Sequence, residues 1–170
     1  EKKQREEKLR ALQKRAGRQL EELEQVKQTA MTLMAQGESA GGLWDSYVEK
    51  VKAFHREFAE YQEEFAEVGE YLDAAQLPVR ILTDPPGAEV YLNQTTSPEA
   101  ERTPCILFVR PYRDFRVRVV KKGFVEKTAT KNAGGLEYFD FSLQREELRQ
   151  PIQCGNLRVT FGPRVIDQPV

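Results

Sequence analysis

The chain has 170 residues, 31% of them charged, with a net charge of −1. That length holds one domain or two small ones, and the balanced charge argues against wholesale binding to nucleic acid or a membrane surface. No apolar run approaches the roughly 20 residues a membrane helix needs, and the chain opens on Glu1 without a signal-peptide pattern, so it reads as a fragment with any targeting or membrane segment upstream.

Residues 1–36 contain no proline and almost no glycine. Leu9, Ala16, Leu23 and Ala30 recur every seven residues, and Leu12, Gln19, Val26 and Leu33 fill the position three residues later. This is the a/d pattern of a coiled-coil seam. It stops at Gln36–Gly42, where small residues favour a turn. A second pattern follows, with Trp44, Val51, Phe58, Phe65 and Leu72 in one column and Tyr47, Phe54, Tyr61, Val68 and Ala75 in the other. Pro78 ends it. The expectation is two helices of about 50 Å each, joined by a short turn into an antiparallel two-helix coiled-coil hairpin over 1–77.

Charge supports that direction. The first helix begins basic, with Lys2, Lys3, Arg5, Lys8, Arg10, Lys14, Arg15 and Arg18. The second ends acidic, with Glu57, Glu60, Glu63, Glu64, Glu67, Glu70 and Asp73. Folding back at Gly41-Gly42 sets these segments side by side, and Glu21, Glu22 and Glu24 near Lys50, Lys52 and Arg56. Exposed pairs contribute only tenths of a kcal/mol, so they choose register more than they stabilise. A hairpin of this kind would return the chain beside Pro78 and project its Gly-rich tip roughly 50 Å away.

From Val79 the pattern changes to short strands: Val79–Leu82, Ala88–Leu92, Ile106–Val109, Phe115–Val120, Phe124–Thr130 and Tyr138–Leu143. In the fourth, Phe115, Val117 and Val119 alternate with Arg116 and Arg118, as in a strand buried on one face. Such spacing points to a small antiparallel β-sandwich-like domain over 78–144, and hence to an α+β chain. Residues 145–170 form a C-terminal extension, with one further strand at Asn156–Phe161 before Gly162-Pro163.

The run Asp84-Pro85-Pro86-Gly87-Ala88-Glu89-Val90-Tyr91-Leu92-Asn93, then Thr103-Pro104, then Lys122-Gly123-Phe124, resembles the PEGA domain. The likeness spans about Pro78–Leu143. It implies a small β module of bacterial and archaeal envelope proteins with no known catalytic chemistry. Pro86 stands where the motif's name has Glu, Gln94 replaces a usual Gly, Thr95–Arg102 is long and polar, and Tyr112-Arg113 replaces a frequent Pro-Gly. These departures fall in loops rather than in the core.

Chemistry-bearing residues are sparse. Cys105 and Cys154 have no metal-ligand spacing; they are either a disulfide in an exported domain or two buried thiols. His55 is the sole histidine, and no Cys, Asp or second His shares its helical register. The carboxylates of the second helix read as an ion-paired face rather than a hydrolase pair. Gly134-Gly135 lacks the Lys-Ser/Thr of a phosphate loop. Between residues 110 and 131 lie eight Lys or Arg against two acidic residues, a stripe that includes Arg116, Arg118, Lys121 and Lys122. It is either a solvated strand face or a contact for an anionic envelope polymer. The aromatic surplus of the second helix, Phe58 and Phe65 above all, either packs within the chain or forms a face for a second copy.

The resulting expectation is a non-catalytic, envelope-associated scaffold or interaction module. It would carry no catalytic or metal site and no cofactor. Its hairpin would serve protein partners or self-association, no nucleic acid is expected, and membrane attachment would come only through an upstream segment. The alternative is the extracytoplasmic sensory region of a receptor-like protein such as a membrane-anchored kinase. The location follows that reading, with the cytoplasm as the alternative.

Overall fold

The computed structural model describes residues 2–99 and 102–147, and the backbone of 152–154 and 157–159. It is α+β, with helices followed by small, mainly antiparallel sheets. Helix α1 (Lys2–Ala35) buries a single stripe, Leu12, Ala16, Leu23 and Ala30, as the heptads require. It closes at Gly37, whose φ of 77° few other residues tolerate. The Glu38 N–H donates to Leu33 O at 2.9 Å and the Gly37 N–H to Met34 O at 3.0 Å, so the last carbonyls are satisfied. Helix α2 (Gly41–Phe58) buries Trp44, Tyr47, Val48, Val51, Phe54, His55 and Phe58. Lys50–Glu22 (3.6 Å), Arg15–Glu57 (2.7 Å) and Lys8–Glu64 (2.5 Å) advance along one segment as they retreat along the other. The two segments therefore run antiparallel.

A continuous second helix reaching Pro78 does not form. Helix α2 ends at Phe58, a 3-10 turn covers Ala59–Tyr61, and helix α3 (Val68–Ala74) doubles back along α2. His55 Nε2 lies 2.8 Å from Ala75 O, and the Tyr47 hydroxyl donates to Gln76 O at 3.0 Å. Burial is the physical reason for the bend: Phe65, Val68, Leu72 and Ala75 all become at most 2% exposed, which apolar transfer favours strongly. Spin labels on the exposed Ala53 and Ala74 test this. A straight helix would separate them by about 32 Å, whereas the doubled-back chain holds them within two helix diameters, about 20 Å.

The doubling back also overturns the projecting tip. Strand β1 (Leu77–Asp84) starts beside the first half of α2, so the Gly37–Gly41 turn lies against the β unit, near Arg80 and Tyr138. The first turns of α1 lie instead by Phe65 and Glu67 rather than beside Pro78.

Five more strands build two three-stranded sheets: β2 (Glu89–Leu92), β3 (Cys105–Val109), β4 (Asp114–Val120), β5 (Lys127–Asn132) and β6 (Glu137–Ser142). The orders are β3-β1-β6 and β2-β4-β5. All pairs in these sheets are antiparallel except β1–β6, which is parallel from Val79↔Glu137 to Asp84↔Ser142. This corrects a wholly antiparallel expectation: the chain passes back and forth between the sheets, returning to the first as β3, antiparallel to β1, and again as β6, parallel to it. Strands β7 (Ile152–Cys154) and β8 (Leu157–Val159) pair separately, so the expected terminal strand has a partner that the sequence pattern did not reveal.

Phe115, Val117 and Val119 of β4 are buried together with Leu77, Val79 and Ile81 of β1. Phe115 and Phe139 meet edge to face at 5.8 Å, joining the two sheets. Strand edges are covered by other groups. Lys131 donates to Tyr138 O at 2.6 Å, and the Glu99 and Thr103 N–H groups donate to Val90 O on β2 and to Ala88 O just before it.

The Pro-Pro-Gly turn is held by a buried polar chain. The Ala88 N–H donates to Thr103 Oγ1 (2.9 Å), which lies 2.5 Å from Thr83 Oγ1, and that hydroxyl donates to Pro85 O (2.9 Å). With Thr83 committed to Pro85, the proton between the two hydroxyls belongs to Thr103. Gly87, at φ 86°, donates its N–H to Thr103 O at 2.8 Å. Thr103→Val should keep the shape but orphan the Ala88 N–H and one lone pair of Thr83. A loss of about 1–3 kcal/mol in urea denaturation is expected; a neutral result would show that the chain of hydroxyls does not hold this turn.

Candidate functional site

Phe58 and Phe65 are 0% and 1% exposed. Phe58 stacks on Phe54 at 4.5 Å beneath the Arg15 guanidinium, and Phe65 lies under Arg5 and Lys8. Their contacts are made within one chain, so these rings offer no face to a second copy.

The basic stripe does not share one face. Arg116 and Arg118 point outward from β4. Arg118 stacks over Tyr91 at 4.2 Å and approaches Glu126 at 3.4 Å. Lys121 donates to Pro86 O at 2.8 Å. Lys131 sits over Phe139 and beside Glu137, and Arg110 pairs with Asp73. What remains outward on the second sheet and its adjoining turn is Arg116, Arg118 and Lys122, with Lys121 beside Gly87. Lys121, Lys122 and Arg102 border a shallow depression at Gly87, which Glu89 partly neutralises.

The helical and β units meet through aromatic rings. Phe108 of β3 packs 6.2 Å from Trp44 and 6.3 Å from Tyr47, with the Lys27 ammonium 5.1 Å above it. Burial pushes the Tyr47 phenol up to about 12, with Glu24 adding to the shift, so it remains a donor to Gln76 O. Behind it, His55 lies between α2, the end of α3 and Tyr112, whose ring meets it edge to face at 6.2 Å. Burial holds the imidazole below its ordinary value, outweighing the carbonyls of Ala75 and Leu72 that favour the cation; Arg110 lowers it further and Asp73 raises it. An unfolded chain titrates near 6.5 and so binds a proton that the folded chain resists. Stability contributed by His55 is thus complete above about pH 6.5 and falls as pH drops toward the lower folded value. His55→Gln should flatten that slope in thermal melts at a series of pH values; an unchanged slope would assign it to other groups.

Two clefts border this joint. One, of about 460 Å³, lies over Arg110, Arg113, Asp114 and Asn93. The other, of about 450 Å³, lies between the Gly37–Gly41 turn with Trp44 and a row of the first sheet, Ile106, Arg80 and Tyr138. The pairings Arg80↔Ile106 and Arg80↔Tyr138 place this row across three strands. Sequence reasoning missed it because its parts lie far apart along the chain and Arg80 reads as an ordinary outward strand residue.

Among the described residues, no group of three or more His, Cys, Asp or Glu is placed to hold a metal ion, and no helix is long and apolar enough to cross a membrane. Cys105 is buried, while the side chain of Cys154 lies outside the described residues, and so does the question of a bridge. No family model and no curated protein matches the chain.

Proposed function

We propose that the chain is a non-catalytic scaffold or interaction module of an envelope-associated protein: an antiparallel coiled-coil arm seated on a PEGA-like, sandwich-like β domain. The observation that carries this reading is the joint at Phe108. Trp44 and Tyr47 of α2 seat the arm on the first sheet, while Phe54, Phe58 and Phe65 pack within the helical unit, which leaves the outer sides of α1 and of the second sheet turned to solvent. The proposed protein contact, with a partner or a second copy, is the outer side of α1. The proposed polymer contact is Arg116, Arg118, Lys121 and Lys122. Binding to polyphosphate or lipopolysaccharide should weaken steeply between low and physiological salt, and Arg116→Glu should reduce it. Salt-insensitive binding, or none, would return these residues to a solvated face. Light scattering over a concentration series tests the arm; a monomer throughout would remove self-association and leave a different protein as its partner.

A further inference from the structure

The cleft between the α1–α2 turn and the first sheet carries charges that its own walls leave unused. Arg80 sits mid-strand on β1, the central strand of its sheet, between Ile106 and Tyr138. Its guanidinium is exposed and has no carboxylate or carbonyl partner among the described residues. Arg110, Arg118 and Lys131 of the β unit have acidic partners; Arg80 shares its lack of one with outward residues such as Arg116 and Lys122, but it alone among these lines a cleft between the sheet and the α1–α2 turn. On the opposite wall Glu38 and Ser39 are also exposed, and no side-chain bond of Glu38 occurs among the described residues. The apolar lining includes Met34, Trp44, Ile106, Leu136 and Tyr138; Tyr138 is 51% exposed, one of few large apolar side chains left open to solvent among the described residues.

We propose that this cleft binds a small zwitterion, an α-amino acid with a large apolar side chain. The reasoning is one of complementarity. A guanidinium presents a planar fork that pairs bidentately with a carboxylate. Glu38 across the cleft suits an ammonium and disfavours a phosphate or other multiply charged anion. The rings and Ile106 suit an apolar body, and a cleft of about 450 Å³ is within the range of small-ligand sites. This binding would be independent of the polymer and partner contacts proposed above, which use the second sheet and α1.

Trp44 is the sole tryptophan of the chain and lines the cleft beside the Phe108 joint, so its emission reports on this region without signal from other tryptophans. Phenylalanine and leucine, added to the whole chain, should give a saturable change in that emission. Two relatives of phenylalanine separate the charges: phenethylamine lacks the carboxylate and 3-phenylpropionate lacks the ammonium, and each should bind at least about tenfold more weakly. Arg80→Gln should weaken phenylalanine by a similar factor, Arg80→Lys by less, and Glu38→Gln should weaken phenylalanine but not 3-phenylpropionate. Both positions are exposed, so the far-ultraviolet circular dichroism of the variants should match the parent. No saturable response at millimolar ligand would overturn the proposal, as would equal affinity in the parent and Arg80→Gln. Tighter binding of inorganic phosphate than of phenylalanine would overturn it too, making the cleft an anion site.

Discussion

Val117→Asp should unfold the β unit at room temperature. Val117 is fully buried at the middle of β4, the central strand of its sheet, paired with Leu92 on one side and Ala129 on the other. An aspartate there meets only apolar neighbours. It must be buried ionised or neutralised, and either route costs several kcal/mol from a total of about 5–15 kcal/mol. Arg118→Asp, one residue on, loses the Tyr91 stack and the Glu126 pair, both partly solvated, and should cost only about 1 kcal/mol. Urea denaturation of the two variants checks the strand register. Comparable damage from both would contradict this register, and the reverse order would mean that the two faces of β4 have been exchanged.

Phe58→Ala should be the most damaging truncation in the helical unit, at about 3–5 kcal/mol. The ring is 0% exposed and lies where α2 ends, between Phe54 and the Arg15 guanidinium. The loss should not depend on protein concentration, because every contact of the ring is internal to the chain. A loss that shrinks as concentration rises would instead place Phe58 at an interface between copies. Glu60→Ala, two residues on and exposed, serves as the control and should change stability by less than about 0.5 kcal/mol.

The buried stripes of the helices were largely legible in the sequence. Leu12, Ala16, Leu23 and Ala30 on one side, and Trp44, Tyr47, Val51, Phe54 and Phe58 on the other, are heptad positions and are buried, whereas the heptad positions Leu9, Gln19, Val26 and Leu33 are only half-buried and Val48 and His55 are buried outside the pattern. The path of the chain was not legible. Phe65, Val68, Leu72 and Ala75 keep the heptad phase through a bend that no proline marks, because periodicity records which residues seek burial and not against what. In the β unit, the alternation of β4 and the positions of the turns could be read directly. The parallel β1–β6 pairing could not, since strand order depends on contacts between residues some 60 apart in sequence. Thr83 was missed for a related reason: its hydroxyl has meaning only beside Thr103, twenty residues away. The cleft at Arg80 was hidden in the same way, assembled by a joint whose existence the straight-helix expectation denied.

The parallel pairing of the first and sixth strands determines how the β unit would respond to mechanical load. Tension applied between Leu77, where the helices join, and Leu143 would draw β1 and β6 in opposite directions along their common axis. The ladder from Val79↔Glu137 to Asp84↔Ser142 would be loaded in shear, with its hydrogen bonds resisting together. The antiparallel β2–β4 pair, Glu89↔Val120 to Leu92↔Val117, is not on that line of force. A module strung between an arm and a following segment would therefore yield late and abruptly, not by gradual unzipping.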